Sequence, residues 1–256
     1  MHIFFKRFFP IAGLLPIFLL LCTVANAGDG GRRVVIIGDS ITDGNWGCIY
    51  NYKRTSPERS STDMNHIYGH SYVMFIATHY QCRRPEREYQ FFNRGFSGHK
   101  LRDIAARWQE DVLDLHPDVL SVLIGTNDIH EYLDGHKDTG YDVEAWKSLY
   151  RSLLQQVREQ NPDVRLVLCT PFIAKQGWLG ETPEYPLREQ MTESLAAAVR
   201  ELCKEFGAVC IPFDTMFRGL IDKQPRPSTW IWDGIHPTPA GHRKMAELWI
   251  RKVGRL

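Results

Sequence analysis

The sequence is poor in the features that mark charged or cross-linked proteins. Lysine and arginine total 31 and aspartate and glutamate 30, which leaves a net charge of +1. With that balance and no run of five basic residues, nucleic acid is not expected as a partner, because phosphate binding needs a basic excess on some face. Cysteine is scarce, at six residues without a C-x-x-C pair, which gives zinc-ribbon and thioredoxin-like chemistry no support. No linker, repeat or low-complexity stretch divides the chain. At 43% hydrophobic and 24% charged residues it is not a disordered chain. Its 256 residues are enough to bury a core without cross-links.

Long apolar runs are also lacking, save one. Lys6 and Arg7 precede a nearly continuous apolar stretch from Phe8 to Cys22, and Ala25-Asn26-Ala27 follows. This is a secretory signal pattern. A membrane anchor needs about 20 apolar residues, and this run is shorter and holds Pro10 and Pro16. The expectation is a signal peptide over 1–27 and a single domain over 28–256, secreted or periplasmic, with no membrane span after cleavage. Cys48, Cys82, Cys169, Cys203 and Cys210 would remain, an odd set that leaves at least one thiol unpaired in an oxidising compartment. Cys203 and Cys210 fall at one edge of the fold and are the pair placed to bond if any does; the sequence leaves the pairing open. Cys48 and Cys82 are separated by a helix of roughly 20 Å and are not.

What is present is alternation. Short β-branched or aromatic runs at Arg33–Gly38, Tyr89–Asn93, Asp118–Ile124, Val164–Cys169 and Ala208–Phe213 read as strands. Helical patterns lie between and after them, at 69–81, 101–115, 142–160, 187–206 and 239–253. The alternation predicts a parallel sheet covered by helices on both faces. One connection is abnormal: from Asp43 to Tyr68 no periodic pattern appears, where βα loops usually take about 2–6 residues.

Ligands of open parallel sheets bind outside the carboxyl ends of the strands. Four blocks stand there: Gly38-Asp39-Ser40-Ile41, Asn93-Arg94-Gly95, Gly125-Thr126-Asn127-Asp128, and Asp233-Gly234-Ile235-His236-Pro237. Each alone reads as a turn. In this order they resemble the four blocks of the SGNH hydrolases, also called GDSL esterases, with Ile41 where the named motif has leucine. The resemblance implies Ser40 as nucleophile, His236 as its base and Asp233 as the group that orients the imidazole. It also implies an oxyanion hole from the N–H groups of Ser40 and Gly95 and the amide of Asn127. The corresponding fold is an α/β three-layer sandwich with a flavodoxin-like five-stranded parallel sheet in the order 2-1-3-4-5, which sets strand one between the loops carrying Gly95 and Asn127.

These residue types suit acyl transfer. A serine hydroxyl needs a base to become a nucleophile, and neutral histidine serves near neutral pH. No cofactor and no metal enter this chemistry. Ser97 in Gly95-Phe96-Ser97-Gly98 lacks the closing glycine of a nucleophile elbow. His66 and His70 have a metal-compatible spacing without an H-E-x-x-H pattern.

Trp108, Trp146 and Trp249 fall in helical patterns and read as core. Trp46, Trp178, Trp230 and Trp232 fall in loops at the catalytic edge, where aromatic rings suit stacking on sugars. With the secretory signal and the lack of a long apolar lid, they favour removal of short acyl groups, acetyl first, from a small-molecule or polysaccharide ester. Lysophospholipase, arylesterase and thioesterase activities are the alternatives within the family. A non-catalytic carbohydrate-binding protein on the same scaffold is the alternative outside it.

Overall fold

The computed structural model describes residues 31–47, 55–59, 64–135, 141–223 and 226–256. The expected signal peptide and Cys48 lie outside these residues. The strands are β1 (Arg33–Gly38), β2 (Gln90–Gly95), β3 (Val119–Leu123), β4 (Arg165–Cys169) and β5 (Val209–Ile211). They form one parallel sheet in the order β2-β1-β3-β4-β5, as anticipated. The helices are α1 (Ser40–Asp43), α2 (Ser56–Arg59), α3 (Tyr72–Arg83), α4 (Leu101–Ala106), α5 (Trp108–Asp111), α6 (Thr126–Leu133), α7 (Val143–Gln160), α8 (Gly177–Gly180), α9 (Tyr185–Glu205), α10 (Phe213–Ile221) and α11 (Pro239–Val253).

The sheet is buried on both sides because its strands carry apolar side chains at odd and even positions alike. In β1, Val34 and Ile36 face one layer and Val35 and Ile37 the other. The first layer is closed by Ile76 and Tyr80 of α3, Phe213 and Phe217 of α10, and Met245 and Trp249 of α11. The second is closed by Leu101, Ile104 and Trp108, by Leu153 and Leu154 of α7, and by Val199 and Leu202 of α9. The buried hydroxyl of Ser121, within β3, is matched by the indole of Trp249, whose Nε1 donates to Ser121 Oγ across 3.0 Å.

Three differences from the sequence expectations matter for the site. β2 runs on to Gly95, so Asn93-Arg94-Gly95 lies inside the strand, and Gly95 pairs with Gly38. The Gly125-Thr126-Asn127-Asp128 block opens helix α6 rather than a simple turn. The helix expected over 101–115 breaks at Arg107, whose φ of −118° leaves helical geometry. Cys203 and Cys210, the pair placed to bond, are free thiols, as are Cys82 and Cys169. The neighbouring Cys203 thiol lowers the pKa of the Cys210 thiol.

Candidate active site

β1 is flanked at its carboxyl end by β2 and β3: Gly38 stands opposite Gly95 on one side and Leu123 on the other. A Cβ on Gly38 would meet Leu123 O and Thr42 Oγ1, both at 2.4 Å, so the chain can turn here only on glycine. Asp39 caps α1, its Oδ1 accepting from the Ile41 N–H at 3.0 Å. Its carboxyl is buried, and that burial pushes its pKa up to about 7. Ser40 follows as the first residue of α1.

The second half of the site is a short loop before α11. An isolated antiparallel bridge between Ile231 and Pro237 closes its base. Trp232 N–H donates to His236 O at 3.2 Å. Gly234 takes a φ of +100°, and a Cβ there would meet Leu179 Cβ at 2.5 Å. Asp233 Oδ1 accepts from the N–H groups of Ile235 (2.9 Å) and His236 (2.7 Å). Its Oδ2 lies 2.6 Å from His236 Nδ1. Burial works to raise the Asp233 pKa, but these hydrogen bonds from His236 and the backbone outweigh it and hold the carboxylate below its ordinary range. His236 Nε2 in turn lies 2.9 Å from Ser40 Oγ. A carboxylate, an imidazole and a hydroxyl are thus linked in series, the hydroxyl and the imidazole lying 196 positions apart in the sequence. Such a relay can take a proton from the hydroxyl as it attacks an electrophilic carbon.

The donors beside Ser40 differ in part from expectation. Gly95 does not offer its N–H outward, because that group donates to Asn93 Oδ1 at 2.9 Å. Its Cα is pressed against α1, where a Cβ would meet Asp43 N at 2.3 Å. The Asn93 side chain, two residues back in β2, thus occupies the Gly95 N–H. Three residues on, Gly98 is exposed, has a φ of +80° and open space where a Cβ would stand. Among the described residues, the N–H groups of Ser40 and Gly98 have no hydrogen-bond partner. The sequence signal for Gly98 was present: a second glycine in Gly95-Phe96-Ser97-Gly98, outside the strand.

Asn127, in the first turn of α6, donates from Nδ2 to His99 O at 3.1 Å, which leaves its second amide hydrogen for another acceptor. Its neighbour Asp128 accepts from Leu101 N at 3.2 Å and from Trp146 Nε1 at 3.1 Å. Consecutive residues of α6 therefore hold the loop after Gly98 on both sides of Lys100. Burial pushes the Asp128 pKa up to about 6.

The abnormal loop after β1 contributes α2, and with it a buried cation that the sequence reading did not single out. Arg59 is fully buried, and its Nη1 and Nη2 contact Asp43 Oδ1 and Oδ2 at 2.5 and 3.2 Å. Asp43 Oδ2 also accepts from Ser97 N at 2.9 Å. The guanidinium lies 4.2 Å from the centroid of Phe96. This two-pronged ion pair ties the end of α1 to the loop that bears Gly98.

The four loop tryptophans separate. Trp46 is 4% exposed and donates from Nε1 to Gly95 O at 2.8 Å, so it is a core residue and presents no face to a substrate. Trp230 is half-buried against the core. Trp178 and Trp232 are 49% and 59% exposed. Trp232 stacks on His236 with centroids 6.2 Å apart, and Trp178 stacks on His130 at 5.6 Å. Arg188 holds His130 from behind, Nη1 to Nδ1 at 2.5 Å, and pairs with Asp134. His66 and His70 lie in turns with their rings 6.4 Å apart. Among the described residues no group of three potential ligands gathers around a metal position.

A family model described as the GDSL-like lipase/acylhydrolase family matches residues 36–244. An acetylxylan esterase from Geobacillus stearothermophilus is 30% identical over 227 residues, covering 88% of this chain and 94% of that protein. Among solved structures, a GDSL-like lipase from Parabacteroides merdae superposes with a TM-score of 0.70 at 30% identity, over 88% of this chain and 96% of that one. The Geobacillus acetylxylan esterase Axe2 superposes with a TM-score of 0.73 at 27% identity, over 89% and 96%. Catalytic mutants of Axe2 replace a serine, an aspartate and a histidine by alanine, the last two three positions apart. Asp233 and His236 have the same spacing.

Proposed function

This chain belongs to the GDSL-like lipase/acylhydrolase family and is a carboxylic ester hydrolase, and we propose that it removes acetyl groups from carbohydrates, outside the cytoplasm, through an acyl-enzyme on Ser40. The observation that carries the reading is the Ser40–His236–Asp233 relay. The likeness to an acetylxylan esterase over nearly the whole chain supplies the substrate class.

In the proposed cycle His236 Nε2 takes the proton from Ser40 Oγ as that oxygen attacks the acetyl carbonyl. Asp233 keeps the imidazole in the tautomer with a proton on Nδ1 and stabilises its cation. The N–H groups of Ser40 and Gly98 and the Asn127 amide receive the oxyanion; Gly98 takes the place that Gly95 was expected to hold. His236 then gives its proton to the sugar oxygen as the C–O bond breaks, releasing the sugar hydroxyl, and water attacks the acetyl-Ser40 by the reverse of these steps to free acetate. Trp232, stacked on the catalytic imidazole, and Trp178 supply apolar planes on which a sugar ring can lie. The N-terminal pattern of residues 1–27 supports export. No described helix is long and apolar enough to cross a membrane.

An activity panel tests the reading. Nitrophenyl acetate and butyrate should be cleaved much faster than decanoate, and acetylated xylan should release acetate. Rates that rise with acyl length beyond about eight carbons would instead favour a lipase.

A further inference from the structure

The triad occupies the carboxyl edge of the sheet; a cluster of arginines lies at the other edge. Arg32, Arg83, Arg84, Arg87 and Arg255 line one open cleft of about 590 Å³, beside the amino ends of β1 and β2. That volume lies within the range of small-ligand sites, about 300–1,000 Å³. Arg84 has a loose, exposed pairing with Glu86 at 3.6 Å. Among the described residues, no aspartate or glutamate approaches the guanidinium of Arg32, Arg83, Arg87 or Arg255 within salt-bridge distance. Such a cluster is unexpected in a chain whose net charge is only +1. His79, on the same wall, registers the local charge: burial first, then Arg83 and Arg243, holds its pKa below the usual value.

The floor is aromatic. Tyr80 and Tyr89 are 6% and 8% exposed, with ring centroids 5.8 Å apart. Their hydroxyls are already spent, on Gly254 O at 2.5 Å and Leu256 O at 3.3 Å. The free donors of the cleft are therefore guanidinium groups above an apolar base. A planar guanidinium matches a carboxylate in a two-point fork.

We propose that this cleft is an anchoring site for the carboxylate groups of an acidic carbohydrate, one bearing uronic acid residues. The assignment rests on the carbohydrate-esterase reading for its choice of anion. β1 alone separates the cleft from the Ser40 edge by about 20 Å. A polymer held at one edge raises the effective concentration of its acetyl groups at the other.

The test is calorimetric titration of the Ser40→Ala protein, which keeps the cleft and prevents turnover. The probes are an oligomer of galacturonic acid, a neutral xylo-oligosaccharide of equal length, and inorganic phosphate. The galacturonate oligomer should bind saturably, and more weakly as sodium chloride is raised. Arg83→Ala/Arg87→Ala should weaken that binding by about tenfold or more and leave nitrophenyl acetate hydrolysis by the Ser40-containing enzyme unchanged. Should this pair fail to fold, Arg255→Ala, on a different segment, is expected to weaken binding in the same direction. Absence of saturable galacturonate binding overturns the proposal, as does unchanged affinity in the folded arginine variant. Phosphate competing at equal or higher affinity overturns it in favour of a phosphate site. Galacturonate binding without acetate release from any carbohydrate would leave the cleft assigned and reject the esterase substrate instead.

Discussion

Asn127 Nδ2 and His99 O are joined by a hydrogen bond of 3.1 Å, which fixes the plane of an amide that would otherwise turn freely. One hydrogen of that amide is committed to the protein and the other is aimed by it. An amide held in this way costs no reorganisation when negative charge develops on a substrate oxygen. Asn127→Ala should therefore lower kcat by about 10²–10³ with KM little changed. Steady-state kinetics and a melting curve on one preparation check it. A variant with normal kcat and a lowered melting temperature would assign Asn127 to the packing of α6 alone.

The two glycines at the end of β2 and just beyond it should part company. A Cβ on Gly95 meets backbone, Asp43 N at 2.3 Å and Thr42 C at 2.6 Å. Gly95→Ala is expected to destabilise the fold, on the order of 3 kcal/mol. A Cβ on Gly98 meets nothing, but its φ of +80° is unfavourable for alanine, a penalty of about 1–2 kcal/mol. Gly98→Ala should thus keep most of the thermal stability and lose kcat, as its N–H is displaced. Urea unfolding and kcat on both variants decide the matter; equal kcat in Gly98→Ala and the parent enzyme would remove Gly98 from the site.

The tryptophans predict a split by substrate size. Trp178→Ala should raise KM for an acetylated oligosaccharide and leave nitrophenyl acetate nearly untouched, because its ring stacks on His130 and not on the catalytic imidazole; Trp232→Ala should raise the same KM and also disturb His236, on which its ring lies. Trp46→Ala, in contrast, should destabilise the protein by about 3–5 kcal/mol, since its ring is buried and its indole bonds Gly95 O. Michaelis curves on both substrates test the first pair, and unfolding curves test the second.

Asp39 gives a pH dependence of stability. Burial raises its pKa in the folded chain to about 7 from 3.8. Between these values the folded state holds a proton that the unfolded state has lost, so this group makes stability fall as pH rises through the window. The slope is at most about 1.4 kcal/mol per pH unit. Above about pH 7 both states are ionised and the contribution is flat. Asp39→Asn keeps an acceptor for the Ile41 N–H and does not titrate. The stability of the parent relative to this variant should therefore decline from about pH 4 to about pH 7. Parallel curves from urea unfolding across that range would contradict it.

Much of this was legible in the sequence, for identifiable reasons. β1 is a run of β-branched residues with no polar alternation, and a strand buried on both faces can hardly look otherwise. The Asp233-x-x-His236 spacing compresses two functional groups into one short loop, so their contact is local and readable. The Ser40–His236 contact is not local, but it follows once the strand order is known. Arg59 was hidden because it acts from an aperiodic loop, where no pattern marks a buried cation. Gly95 and Gly98 were confused because the end of β2 was placed at Asn93; two further residues of pairing turn one glycine inward and leave the other free. Trp46 looked like a loop aromatic because distance along the chain does not report burial.

The central claim is that Ser40 carries the acyl group taken from an acetylated carbohydrate. Its most direct test is acetate release from an acetylated xylo-oligosaccharide by the native protein and by Ser40→Ala, both confirmed folded. The native protein should release acetate, and the variant should be slower by about 10⁴ or more. Comparable release by the two proteins would remove Ser40 as nucleophile, and no release by the native protein would contradict the substrate.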